Sequence, residues 1–239
     1  MSLELRCTET VGLLPQSTHL TLSAIPLLAI ALLALSSTAL ADDLSDVSAP
    51  SPWTVHETND DAENGYVVYT RKPAGSKFSE YRIEAVVNYP TAVVAAVAVK
   101  NLADPEFRPK GTIKTIIQND EEALLVHSHI AINAPFVSDR DVVTRVEQTF
   151  DSLTATHSIV WRATNEGPPP RDGVVRLDRS DGYWSFTPED ENRTKAVYVS
   201  HTEIAGSIPA WVINSVMSTT MTEGIEGLRA SLVRETEHP

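Results

Sequence analysis

Between Tyr66 and Gly206 turn residues divide the chain into short runs, and this spacing limits the fold more than any other feature of the sequence. "YVVYTRK" (66–72) and "KFSEYRIEAVVN" (77–88) alternate apolar and polar positions and carry β-branched and aromatic residues, the pattern of half-buried strands. The period then changes. "PTAVVAAVAVKNLADP" (90–105) is alanine-rich, with Pro90 in front and Asp104-Pro105 behind, and reads as a helix with start and stop signals. Strands return at 111–120 and 122–132, joined at Asn119-Asp120-Glu121, and again at 140–150 and 156–165. After a proline-rich loop (166–173), "VVRLDR" (174–179) and "GYWSFTP" (182–188) read as a hairpin across Ser180-Asp181-Gly182, because Asp-Gly favours a tight turn. "TKAVYVSHTEIAG" (194–206) is the last strand. About nine strands with short connections imply antiparallel neighbours, hence an α+β chain with one curved sheet. No repeat and no second domain is visible.

The chain closes on "GSIPAWVINSVMSTTMTEGIEGLRASL" (206–232), one long helix with Pro209 in its first turn. Val212, Ile213, Val216, Met217, Met221, Ile225, Leu228 and Leu232 recur at helical spacing and form an apolar stripe for the sheet. The middle is built of poor helix formers: Ser218, Thr219, Thr220, Thr222 and Gly224 surround two methionines. Small residues leave a gap against a sheet, and a bound apolar ligand would fill it.

The first residues read as a leader. An apolar run from Leu20 to Leu35 is too short to span a bilayer, which takes about 20 residues. Ala39-Leu40-Ala41 follows as a cleavage signature. The expectation is a signal peptide over 1–41, or a membrane anchor if it is retained, then a polar linker over 42–65 with Trp53 as an anchor, then one domain over 66–235. The chain is expected to be secreted or periplasmic. The only cysteine is Cys7, so a chain cleaved at Ala41 has no disulfide and no thiol chemistry. A net charge of −13 without a basic cluster argues against nucleic acid as partner. It also makes any membrane contact hydrophobic rather than electrostatic.

The order of these pieces is similar to that of a known family. "GVVRLDRSDGYWSFTPED" followed by "TKAVYVSHTEIAGSIPAWVINSVMSTTMTEGIEGLRASL" resembles the C-terminal half of START domains, the lipid-transfer domains related to the steroidogenic acute regulatory protein. "APFVSDRDVV" (134–143) resembles the family's aromatic-Pro-x-Ser-x-Arg-Asp stretch through Ser138, Arg140 and Asp141. "YRIEAVVNYPTAVVAAV" (81–97) looks like its early strand and helix, so the likeness runs from about Tyr66 to Val233. The resemblance implies a helix-grip fold, an antiparallel sheet around the C-terminal helix with an internal tunnel for one lipid or similar apolar molecule. It implies a tunnel wall from Val142, Thr144, Val146, Trp161, Trp184, Ile213, Met217, Thr220, Met221 and Gly224. It implies a gate and membrane contact from Pro135, Phe136 and Val137 with Ile208, Pro209 and Trp211. Sterol-handling members carry an arginine in the tunnel where Val146 stands here. Arg145 beside it points to the other face by strand alternation. The expected protein is a monomer with a lipid partner, no metal and no cofactor.

Other residues read more plainly. Arg140 and Asp141 form a structural contact at a strand start. His127 and His129 share a strand face, and with His201 and Glu203 they would make a metal site only if brought together. Glu84 and Glu147 are polar anchors if they face inward. No G-x-S-x-G, H-E-x-x-H, phosphate loop or dinucleotide fingerprint is present. The alternative function is a small-molecule enzyme of the polyketide cyclase type on the same fold, with Tyr183, Tyr198, His127 and His201 as acid–base groups.

Overall fold

The structure is a computed structural model that describes residues 51–132, 136–205 and 210–237, with side chains in the last segment from Met217 onward. The leader expected over 1–41 lies outside the described residues. The elements are β1 (Thr54–Asn59), β2 (Tyr66–Arg71), β3 (Glu80–Val87), α1 (Thr91–Ala103), β4 (Thr112–Asn119), β5 (Leu124–Ile130), β6 (Asp139–Asp151), β7 (Thr156–Ala163), β8 (Val174–Arg176), β9 (Ser180–Pro188), β10 (Thr194–Thr202) and α2 (Ala210–Glu237). One sheet holds every strand, in the order β1-β2-β3-β10-β9-β7-β6-β5-β4, with β8 beside β6. The α+β layout expected from the turns and the helix-grip arrangement that the resemblance implies are both present, with α2 packed against β3, β10 and α1.

Two expectations are corrected. Residues 42–65 are not all linker, because Thr54–Asn59 is the edge strand β1, paired with β2. Its residues are mostly exposed, so no apolar alternation marks it, and ladder hydrogen bonds to β2 hold it. Trp53 is an anchor as expected, with the Arg71 guanidinium 4.4 Å from its ring centroid and that of Arg82 4.9 Å. The second correction concerns the hairpin at Ser180-Asp181-Gly182. These three residues belong to β9, and β8 pairs in parallel with β6 instead. Gly182 is small because Trp161 lies over it. A Cβ there would come 2.3 Å from Trp161 Cζ2 and 2.3 Å from the Val199 carbonyl oxygen.

Strand register assigns every side chain to a face. Leu124 lies opposite Val146 and Val126 opposite Thr144, so Arg140, Val142, Thr144 and Val146 share the concave side of β6. The concave row continues through Trp161 on β7, Gly182 and Trp184 on β9, and Tyr198 and Ser200 on β10. The deep half of this face is filled. Val94, Ala95 and Ala98 of α1 and Met221, Ile225, Leu228 and Leu232 of α2 form one core with Ile83, Ile159 and Phe186. Each of the Val, Ile, Leu, Met and Phe side chains among them contributes about 1.5–3 kcal/mol on burial.

Both sheet edges are guarded. β1 and β4 each contain a bulge, and β4 turns Lys114 inward, two devices that discourage strand addition. Lys114 Nζ donates to the carbonyls of Asn101 and Phe107, both at 2.8 Å, which caps the C-terminal end of α1. Burial pushes its pKa down to about 8.

Packing explains the glycines of α2. A Cβ on Gly224 would meet Tyr198 Cε1 at 3.1 Å, and one on Gly227 would meet Phe107 Cε2 at 3.0 Å. Tyr198 is pinned by stacking on Trp184, whereas Phe107 sits in a half-buried loop and is able to swing. Gly224→Ala is therefore expected to lose about 1 kcal/mol net, since overpacking of about 1–3 kcal/mol outweighs a helix gain of about 1 kcal/mol. Gly227→Ala is expected to be neutral or stabilising by up to about 1 kcal/mol. Urea denaturation of the two variants checks the contrast.

Candidate functional site

The concave face divides at the level of Tyr198. Below it the core is closed. Above it the wall is made of smaller and more polar residues: Ser128 on β5, Thr144 on β6, Ala163 on β7, Gly182 on β9 and Ser200 on β10. At the boundary Trp184 and Tyr198 stack at 4.4 Å with an interplanar angle of 12°, and Trp161 tilts against Tyr198 at 5.6 Å. Burial pushes the Tyr198 hydroxyl up to about 12. Yet Trp161, Tyr198, Thr144, Ser128 and Met217 are only half-buried, although all of them face the helix side of the sheet. These half-buried side chains are the part of the concave face that α1 and α2 leave least covered.

The expected wall residues separate along this line. Thr144, Trp161, Met217 and Thr220 are half-buried. Val142 is buried in a small cluster with Phe78, Leu177 and Ile204 near the β5–β6 end. Val146, Trp184 and Met221 belong to the closed core. Gly224 is corrected: its missing side chain is filled by the Tyr198 ring, not by room for a ligand. The side chains of Trp211 and Ile213, and all of Pro135, Ile208 and Pro209, lie outside the described residues. Phe136 is fully exposed at 108% and holds a left-handed φ of 64°, while Val137 packs on the Val142 cluster. Strand alternation from Trp184 was the signal for Gly182, and from Tyr198 for Ser200; reading Gly182 as a turn concealed the first.

The histidines do not face the helix side of the sheet. His127 and His129 face the convex side with Asp139, Asp141 and Arg145. His127 Nε2 lies 2.9 Å from Asp141 Oδ2, and Arg176 donates to both Asp141 oxygens at 2.8 and 3.0 Å. His129 Nε2 lies 3.0 Å from Asp139, and Arg171 donates to His129 Nδ1 at 3.2 Å. The loop 166–173 covers this network. Gly167, at φ +93°, brings its backbone so close that a Cβ would meet Ile117 Cδ1 at 2.9 Å. His201 is on the convex side too, bonded to Glu203 at 2.9 Å. Among the described residues no three His, Cys, Asp or Glu side chains are placed to hold a metal. Tyr183 also faces outward, and a Tyr198 hydroxyl near 12 is a poor acid or base at neutral pH. The acid–base set expected for a cyclase is therefore scattered over two faces. Glu84 pairs with Arg82 and Lys195, and Glu147 with Arg162, so neither is an inward anchor.

A cleft of about 550 Å³ lies by the β1–β2 turn and the β9–β10 hairpin. Asp60, Asp61, Glu84, Arg193 and Lys195 line it, and so charged a lining does not suit an apolar ligand.

An antiparallel sheet closed by a terminal helix over an apolar interior is the helix-grip class of ligand-binding domain. The START domain family matches residues 50–238, and the chain belongs to it. A STAR-related lipid transfer protein from Xanthomonas axonopodis is 25% identical, superposes with a TM-score of 0.63, and is covered over 98% of its length by 75% of this chain. Human StAR-related lipid transfer protein 5 shares the fold at 20% identity and a TM-score of 0.61, with 82% of this chain and 90% of that one covered. An uncharacterized protein of Pseudomonas aeruginosa is 29% identical over 178 residues, 71% of this chain and 83% of its own.

Asp141 gives the site's framework a pH signature. The Arg176 guanidinium beside it holds its carboxyl at about 2, below the ordinary 3.8. A pKa lowered on folding contributes stability above the unfolded value, and that contribution disappears as pH falls from about 4 to about 2. The expected loss is about 2 kcal/mol. In acid titrations of urea stability, the gap between wild type and Asp141→Asn should narrow across this window. A constant gap would mean that the ion pair does not set the response.

Proposed function

We propose that this protein binds one lipid or similar apolar molecule between the upper concave face of the sheet and α2, and carries or presents it. The half-buried Trp161, Tyr198 and Thr144 on the helix side of central strands support this most directly. An apolar ligand there would remove their remaining exposed surface, at about 25 cal/mol per Å². Membership of the START family supports the same ligand class. In this reading the loop 134–141 and the start of α2 gate the space, the protein acts as a monomer, and the leader directs it out of the cytoplasm.

Native mass spectrometry with lipid extraction of the purified protein tests the ligand. Thr144→Trp is expected to cut loading tenfold or more with little change in secondary structure. Unchanged loading in that variant would remove the ligand from this face.

Phe136 supports membrane contact of a hydrophobic kind. It is a large apolar side chain held fully in solvent beside the gate, on a chain of net charge −13. Phe136→Asp should lower association with neutral phosphatidylcholine vesicles several-fold while thermal stability stays within about 0.5 kcal/mol, the usual range for an exposed site. Equal vesicle association would leave Phe136 without a membrane role.

A further inference from the structure

Arg140 is a buried cation with no direct ion pair among the described residues. Its exposure is 3%, and register places it on the concave side of β6, in line with Val142 and Thr144. Nη1 donates to the Ser138 carbonyl, and Nη2 to the Ala205 carbonyl at 2.8 Å. Nε is buried and has no partner. Among the described residues no carboxylate lies within salt-bridge distance of Arg140, although its neighbour Asp141 has both His127 and Arg176. The flanking segments 133–135 and 206–209 read Asn-Ala-Pro and Gly-Ser-Ile-Pro, so neither carries an acid. Asp139 is taken up on the other face by His129 and the Ile132 amide.

A guanidinium has five N–H donors and is always charged. Two neutral carbonyls leave most of the donors unused, and Asp139 acts on the charge only from beyond ion-pair distance; a buried charge without a direct partner is unfavourable. Val142 lies beside it on the strand, and Ile204, next to its partner Ala205, belongs to the same apolar cluster. An apolar wall ending in a buried, unpaired guanidinium complements an amphiphile with an anionic head.

We propose that Arg140 is the head-group anchor of the ligand site and selects a long-chain carboxylic acid. Nε and the unused Nη hydrogens offer a planar edge, and a carboxylate fills such an edge with two charge-assisted hydrogen bonds. One guanidinium balances one negative charge. A phosphate monoester, at about −1.5 to −2, would bury an excess. The assignment deepens the lipid-binding reading above and rests on it.

The test compares oleic acid with oleyl alcohol, which share a chain and differ in the head. Displacement of a fluorescent fatty-chain probe from the purified protein at pH 8 gives both affinities. Wild type is expected to prefer the acid at least tenfold. Arg140→Met should abolish that preference while alcohol affinity stays within about threefold, and Arg140→Lys should keep part of it. An arginine that only ties Ser138 to Ala205 would change both affinities together and leave their ratio unmoved, which overturns the assignment. Equal affinity for the two probes in wild type overturns it as well, and needs no variant to fold. Binding of the alcohol alone defeats the anchor but leaves lipid binding intact. Binding of neither probe defeats the lipid reading itself.

Discussion

The fold depends on the seam where α2 meets the sheet at Tyr198. The ring of Tyr198 lies flat on Trp184 and reaches toward the place a side chain would occupy on Gly224. That contact fixes the height of the helix above the strands. Below it, Met221, Ile225, Leu228 and Leu232 are almost fully buried in the core. Above it the concave face carries serine, threonine, alanine and glycine, and the aromatic rings are only half-buried. A helix set further away would open the dry core. The small residue at 224 serves the position of the helix.

Much of the architecture was legible from alternation and turn chemistry. The strands from β2 to β7, the early helix and the terminal helix follow from apolar period and from Pro and Asp-Pro punctuation. The failures share one cause, tertiary contact overriding a local signal. β1 has no apolar face of its own and exists because β2 offers a ladder. Asp181-Gly182 is a good turn sequence, yet Trp161 needs a residue without a side chain opposite it, so the pair stays in the strand. The softness of α2 was visible, but its reason at Gly224 and Gly227 is two aromatic rings far away in sequence. No local pattern reports such a contact.

The site was legible in part for the same reason. Val142, Thr144, Val146, Trp161 and Trp184, which the resemblance names, share the concave face of the sheet, and strand parity puts them there once the strands are found. Which part of the wall is open depends on how deep α1 and α2 reach, and sequence does not state that. The histidines show the opposite limit. His127, His129 and His201 have the spacing of ligands, but their strands turn them to the convex face and pair them with carboxylates.

Arg140 and Asp141 show what one step along a strand does. They are adjacent, so alternation sends them to opposite faces of β6. Asp141 goes under the loop 166–173 and receives a fork from Arg176 and a ring nitrogen from His127, which offsets its desolvation. Arg140 goes to the concave side and receives two backbone carbonyls, which do not. The convex network fixes the strand end from outside, because Asp141 cannot leave its partners without exposing a buried charge pair. With β6 held in this way, strand parity keeps the Arg140 side chain on the concave side. The cost of its burial is then imposed by the framework, and an anion brought by a ligand is what would offset it.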